Sequence, residues 1–223
     1  MIDGKPMVEH VYRRTTEART VDVVVVATDD SRVADAIDQI GGIAVMTDPE
    51  HATGTDRLAE VARALTSDLV VNVQGDEPLI TAQAIDAAVQ PMLDHPHDVM
   101  STLRRQIDDD ADLKNPAVVK VVVDRDGYAL YFSRSEIPFV RAGQPVPIRW
   151  RHLGLYVYRR EFLLKLAEFT QTPLEKAEAL EQLRVLEHGY RIRTVETAID
   201  AVGVDTPEDL ERVRGILEMQ EKA

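Results

Sequence analysis

The apolar positions of this chain switch between a period of two and a period near 3.6, and the switches mark its elements. Residues 21–27 form a nearly continuous β-branched run, the pattern of a strand covered on both faces. The run ends at Thr28-Asp29-Asp30-Ser31, which can cap a helix. Val33, Ala34, Ile37 and Ile40 follow at helical spacing, and Gly41-Gly42 stops them. Residues 43–46 read as a short second strand. Thr55 can cap another helix, with Leu58, Val61, Ala62 and Leu65 on its apolar face, and residues 69–73 read as a third, buried strand. Thr81 opens a helix bearing Ile85, Ala88, Val89 and Met92, and residues 99–103 return to strand. Strands alternating with amphipathic helices predict an α/β fold with a doubly wound, mainly parallel sheet. Ligands in such folds sit beyond the carboxyl ends of the strands.

The middle of the chain has a different pattern. Residues 118–123, the turn Asp126-Gly127 and residues 129–132 predict an antiparallel hairpin, and Pro138, Gly143, Pro145 and Pro147 mark a loop after it. Residues 153–158 read as a strand, 161–169 and 176–188 as helices, and 192–195 as a last strand. Thr206-Pro207-Glu208-Asp209 is a helix start with a capping Thr, Pro at the first helical position and acids in the first turn. Leu210, Val213, Ile216 and Leu217 give that helix its buried face.

Composition narrows the function classes. The chain has 223 residues, enough for one substantial core. Its apolar runs are far shorter than the ~20 residues of a membrane helix, and no basic segment followed by an apolar stretch opens it, so the expected compartment is the cytoplasm, without membrane insertion. There is no cysteine, hence no disulfide, thiolate metal site or cysteine nucleophile. A net charge of −13 argues against a nucleic-acid partner, which requires a basic surface.

Two acidic positions suggest chemistry. In Asn72-Val73-Gln74-Gly75-Asp76-Glu77-Pro78 the carboxylate of Asp76 lies just past a buried strand. A carboxylate there suits Mg²⁺, which takes hard oxygen ligands and shares them with substrate phosphates. An isolated Asp after a strand more often only caps a turn. Asp205, in Gly203-Val204-Asp205-Thr206-Pro207-Glu208-Asp209, lies outside the capping box formed by Thr206 and Asp209 and is a candidate second ligand.

Six segments together carry a family resemblance. They are the two just quoted, Thr53-Gly54-Thr55-Asp56-Arg57-Leu58-Ala59-Glu60, Tyr128-Ala129-Leu130-Tyr131-Phe132-Ser133-Arg134, Arg151-His152-Leu153-Gly154-Leu155-Tyr156 and Leu180-Glu181-Gln182-Leu183-Arg184. In order and spacing the chain resembles the 3-deoxy-manno-octulosonate (Kdo) cytidylyltransferases, or CMP-Kdo synthetases. The resemblance implies a nucleotide-diphospho-sugar transferase-like fold, a homodimer, CTP and Kdo as substrates, and a place in lipopolysaccharide assembly. It implies one domain over residues 1–223, with a hairpin-containing dimerisation and sugar-pocket insert at about 118–175. It implies that Asp76 and Asp205 hold Mg²⁺ against the CTP phosphates. Gln74, His152, Tyr156, Glu181 and Gln182 match sugar-pocket positions, and Arg57 a nucleotide-side position. Taken alone, His152 and Tyr156 read equally as strand packing, Glu181 and Gln182 as a solvated helix face, and the aromatics at 128, 131 and 132 as hairpin or dimer contacts.

The resemblance also has a gap. The family opens with a strand and a loop rich in Arg, Ser, Gly and Lys that wraps the nucleotide phosphates. Here Asp3-Gly4-Lys5-Pro6-Met7 matches a later Gly-Lys-Pro that opens the first helix, so Lys5 is not assigned as a catalytic lysine. The expectation is a chain lacking that loop and first strand, with weak CTP binding and little turnover as written. The alternatives are a cytidylyltransferase for a related sugar acid such as 8-amino-Kdo, and a non-catalytic binding or dimerising remnant.

Overall fold

The computed structural model describes residues 1–51, 53–199, 203–204 and 206–221. The chain forms two compact units. The first comprises Met1–Thr66, Asn72–Asp86 and Asp200–Ala223. The second comprises Ser67–Val71 and Ala87–Ile199.

In the first unit, α1 (Met7–Thr16) starts at Pro6, β1 (Val25–Thr28) leads into α2 (Ser31–Gln39), and β2 (Ile43–Met46) leads into α3 (Gly54–Ala64). Asp30 caps α2 by accepting from the Arg32 N–H at 2.9 Å. Gly41 ends it at φ +74°, and Gly42 passes so close to Ile37 and Tyr12 that a Cβ there would lie 2.7 and 2.9 Å from their side chains. β1 and β2 pair in parallel as a two-stranded sheet, from Val25 with Ile43 to Thr28 with Met46. Two details differ from the sequence reading. The first strand begins later, at Val25, leaving Val23 outside it and about half exposed, and it is only partly covered: Val25, Val26 and Ala27 are half-buried and Thr28 is buried. The cap of α3 is Thr53, whose side chain accepts from the Asp56 N–H, while Thr55 is buried in the first turn. The helix α9 (Pro207–Glu221) opens with the expected reciprocal cap: Thr206 Oγ1 accepts from the Asp209 N–H, and the Asp209 carboxylate accepts from Thr206 N–H. Val213 and Leu217 of α9 pack with Ile2 and Leu79 into one buried cluster.

The second unit is built on a six-stranded sheet. Its strands are β3 (Leu69–Asn72), β4 (Met100–Gln106), β5 (Lys120–Val123), β6 (Ala129–Ser133), β7 (Trp150–Arg159) and β8 (Arg193–Glu196). The order is β6-β5-β7-β4-β8, with β3 also on β7. β4 and β8 run parallel; β7 runs antiparallel to β4 and β5, and β5 to β6, the predicted hairpin. The helices are α4 (Ala82–Asp94), whose first turn lies in the other unit, α5 (Asp110–Lys114), α6 (Arg160–Leu166), α7 (Pro173–Glu178) and α8 (Gln182–Glu187). The α/β class holds, and two helices replace the single one predicted over 176–188. The break is at Ala179, in the left-handed region at φ +51°.

That break has a tertiary cause. Just before it, Glu178 accepts from Ser133 Oγ at 2.6 Å and from the Arg134 N–H at 2.9 Å, while Arg134 donates to the carbonyl of Glu178 itself. Lys120, fully buried, donates to the carbonyls of Asn115, Val118 and Arg134. The end of the hairpin is thereby knotted to the α7–α8 turn, and α8 enters at a fixed angle.

Candidate active site

In the first unit, Gln74 and Asp76 share one turn after β3. The Glu77 N–H donates to the Gln74 carbonyl at 3.2 Å, and Val204 N–H donates to the Asp76 carbonyl at 2.9 Å. The stretch 203–204 thus runs alongside the Asp76 turn. Asp205 itself lies outside the described residues. Asp76 is half-buried, and its main chain is held from across the unit. Arg57, on α3, reaches the ends of β1 and β2: one Nη donates to Thr47 Oγ1 at 2.5 Å and the other to Asp29 Oδ2 at 2.9 Å. A guanidinium has five donors, so these contacts orient the fork without exhausting it.

In the second unit the structure brings His152, Tyr156 and Gln182 together. Four residues along a regular strand would separate two side chains by about 13 Å. Here the His152 and Tyr156 ring centroids are 5.3 Å apart. The cause is a bulge: Tyr156 pairs with Thr102 while Leu153 pairs with Leu103, which leaves Gly154 and Leu155 as extra residues on β7. Bulges re-aim side chains in this way. Phe132 of the hairpin, fully buried, meets His152 edge-on at 5.0 Å. The Tyr156 hydroxyl donates to Gln182 Oε1 at 3.2 Å.

Gln182 is not on a solvated face. It is 4% exposed, and its Nε2 is a buried donor with no hydrogen-bond partner among the described residues. Leaving such a donor unmade costs about 1–3 kcal/mol, so the position is one a polar ligand can improve. Glu181 is half-buried immediately before α8. Sequence reasoning missed Thr102, fully buried on β4 with its hydroxyl 2.9 Å from His152 Nε2. Nothing local marks it, since a Thr in a strand suits the pleat anyway; Gly154 inside a strand was the signal for the bulge that builds its contacts.

Burial pulls the His152 pKa down from 6.5 to about 3, because the surroundings disfavour the charged ring. The ring is neutral at pH 7. Unfolded, it would take up its proton near 6.5; folded, only near 3. This contribution to stability is therefore complete above pH 6.5 and declines as the pH falls from there towards 3. We expect ring NMR signals of His152 to show no protonation between pH 8 and 5. A titration of that ring near 6.5 would contradict its burial.

Comparisons with known proteins agree with this architecture. The family model described as cytidylyltransferase matches residues 1–192. A 3-deoxy-manno-octulosonate cytidylyltransferase of Pelobacter propionicus is 52% identical over 224 residues, covering 96% of this chain and 88% of that protein. The solved structure of a CMP:2-keto-3-deoxy-manno-octonic acid synthetase complexed with CTP superposes with a TM-score of 0.94 at 43% identity, over 99% of this chain and 90% of that one. A 4-diphosphocytidyl-2C-methyl-D-erythritol synthase of Anaerococcus prevotii shares the fold alone, with a TM-score of 0.63 at 13% identity over 98% of this chain and 91% of that one. By sequence and by fold, this chain belongs to the cytidylyltransferase family.

Proposed function

We propose that this enzyme transfers CMP from CTP to Kdo, giving CMP-Kdo and pyrophosphate, and that it serves lipopolysaccharide assembly in the cytoplasm. The reaction class follows from the family. The sugar is supported by the likeness, over 96% of the chain, to a protein of that specificity. One structural observation carries it at the level of residues: the buried Gln182 Nε2, without a hydrogen-bond partner among the described residues, on the side chain that the Tyr156 hydroxyl holds. A neutral imidazole, a phenol and an amide offer uncharged donors and acceptors, the chemistry that recognises a hydroxyl-rich sugar. On this reading Glu181 adds to the sugar contacts of the second unit, while in the first unit Gln74 is a sugar-side and Arg57 a nucleotide-side position, as the resemblance implies.

The sugar's anomeric hydroxyl would attack the α-phosphorus in line, and the β–α bridging oxygen would leave with pyrophosphate. Asp76 and Asp205 would hold Mg²⁺. The donor set fits: hard carboxylate oxygen at a turn whose main chain is tied to the residue preceding Asp205. Bound there, the ion offsets the charge that repels an anionic nucleophile and stabilises the leaving group. The chain's own residues bind and orient.

The second part of the proposal is a homodimer. Leu130, Phe139, Val146 and Ile148, in the hairpin and the loop after it, are 58–87% exposed. Large apolar side chains of this kind are typical of an interface. Sedimentation equilibrium tests it, and a monomer at micromolar concentration would refute it.

The activity test is CMP-Kdo formation from CTP, Mg²⁺ and Kdo, compared with related sugar acids, 8-amino-Kdo included, at fixed CTP. Tyr156→Phe is expected to raise KM for the sugar about two- to twelvefold, the value of one net hydrogen bond, with KM for CTP unchanged. Part of that loss comes from releasing Gln182, whose Oε1 the phenol holds. Equal losses for both substrates would mean that Tyr156 is structural.

A further inference from the structure

The hydroxyl of Thr102 has three neighbours and one proton. Its Oγ1 lies 2.7 Å from the Leu155 carbonyl, 3.2 Å from the Leu153 carbonyl and 2.9 Å from His152 Nε2. A hydroxyl donates once and accepts up to twice. The two carbonyls can only accept, so the proton belongs to one of them, and Leu155 is the nearer. The remaining contact then requires His152 Nε2 to carry a hydrogen and donate it to Oγ1. The opposite assignment, with Thr102 donating to Nε2, would leave two carbonyl oxygens against an oxygen lone pair with no proton between them, in a position with no access to water. The bulge at Gly154-Leu155 brings both carbonyls to the same hydroxyl.

We propose that Thr102 is a positioning residue that locks His152 in its Nε2–H tautomer, so that Nδ1 presents a lone pair to a donating hydroxyl of the sugar acid. The partner nitrogen's hydrogen bond decides the tautomer of a histidine. Burial keeps the ring neutral, so Nδ1 stays an acceptor at working pH. Gln182 Nε2, a donor without a partner among the described residues, is of the opposite polarity. Acceptor and donor together suit hydroxyl groups, which both give and accept, and suit a carboxylate or phosphate poorly, since neither has a proton to offer Nδ1. The proposal rests on the reading that His152 lines the sugar pocket.

The test has a spectroscopic arm and a kinetic arm. Long-range ¹H–¹⁵N correlation on labelled protein, with His152 assigned by its loss in His152→Gln, is expected to show a protonated Nε2 and a bare Nδ1. Thr102→Val keeps the volume and removes the hydroxyl. In it the Nδ1–H form should appear, and KM for Kdo should rise about three- to tenfold, with KM for CTP and kcat nearly unchanged. Thr102→Ser should restore both readings, and Thr102→Ala takes the place of the Val variant if that chain does not fold. A protonated Nδ1 in the wild type overturns the proposal. So does an unchanged tautomer in Thr102→Val, or an equal rise in KM for Kdo and CTP. A wild-type chain with Nε2–H that binds or uses a related sugar acid in preference to Kdo overturns the sugar reading while leaving the tautomer assignment standing.

Discussion

Asp76→Asn should reduce cytidylyl transfer by about a hundred- to a thousandfold or more. The substitution keeps the shape of the side chain and removes its charge. Neutral amide oxygen is a far weaker ligand for a hard divalent cation than a carboxylate. A metal ion at such a site supplies several kcal/mol of transition-state stabilisation, and each 1.36 kcal/mol is a factor of ten in rate, so a Mg²⁺ held by Asp76 would make the loss large. The fold should be little affected, because the contact across the unit is made by the Asp76 carbonyl, which accepts from Val204 N–H and survives the change. Asp205→Asn should behave alike. Removing divalent ions with a chelator should stop turnover, and added Mg²⁺ should restore it. Rates are measured as pyrophosphate release at saturating Mg²⁺, with the melting temperature as control. Turnover within a few-fold of the wild type would end the ligand assignment, and a large fall in melting temperature would assign Asp76 a structural role instead.

Elements whose cause is local were legible in the sequence. Ile43–Met46 appears as predicted, and α2 and α9 begin at the capping residues that their sequences announce. Where the cause is a distant partner, the reading failed. The alternation of apolar and polar residues over 176–188 fits one helix, but Glu178 is drawn to Ser133 and Arg134 on the hairpin, and the chain turns at Ala179. Helical position alone made Gln182 solvated; packing of the short α8 buries it. Taken alone, His152 and Tyr156 read equally as strand packing, and the contact between their rings depends on a bulge that the apolar pattern does not contain. The types and order of the candidate residues were visible through the family's motifs, whereas their hydrogen-bond polarity needed coordinates.

The Glu175–Arg184 pair should be the most costly of the described ion pairs to break. Both side chains are 4% exposed. Arg184 reaches the carboxylate with a two-pronged fork, Nε at 2.8 Å and Nη2 at 2.5 Å, and the Thr172 N–H adds a third bond at 3.1 Å. The pair fastens α7 to α8, the helix that carries Gln182. Arg184→Met leaves a buried carboxylate without its partner, at a cost of about 3–5 kcal/mol. For a chain of this size that is a fall in melting temperature of roughly 6–20 °C. Replacing both partners, with Glu175→Leu added, removes the orphaned charge and should recover much of the loss. The double-mutant cycle measures the coupling, and a double variant no more stable than Arg184→Met would show that the cost is lost packing. Acid should act as the single variant does. Burial raises the Glu175 pKa, but the Arg184 hydrogen bonds, the Thr172 N–H and the guanidinium charge outweigh it, and the net value lies below the ordinary 4.5. A carboxylate depressed in the folded state contributes its stability above its unfolded pKa and loses it as the pH falls through the folded value. The pair should therefore hold down to about pH 4.5 and weaken below it, and the gap in melting temperature between wild type and the double variant should narrow over that acidic range.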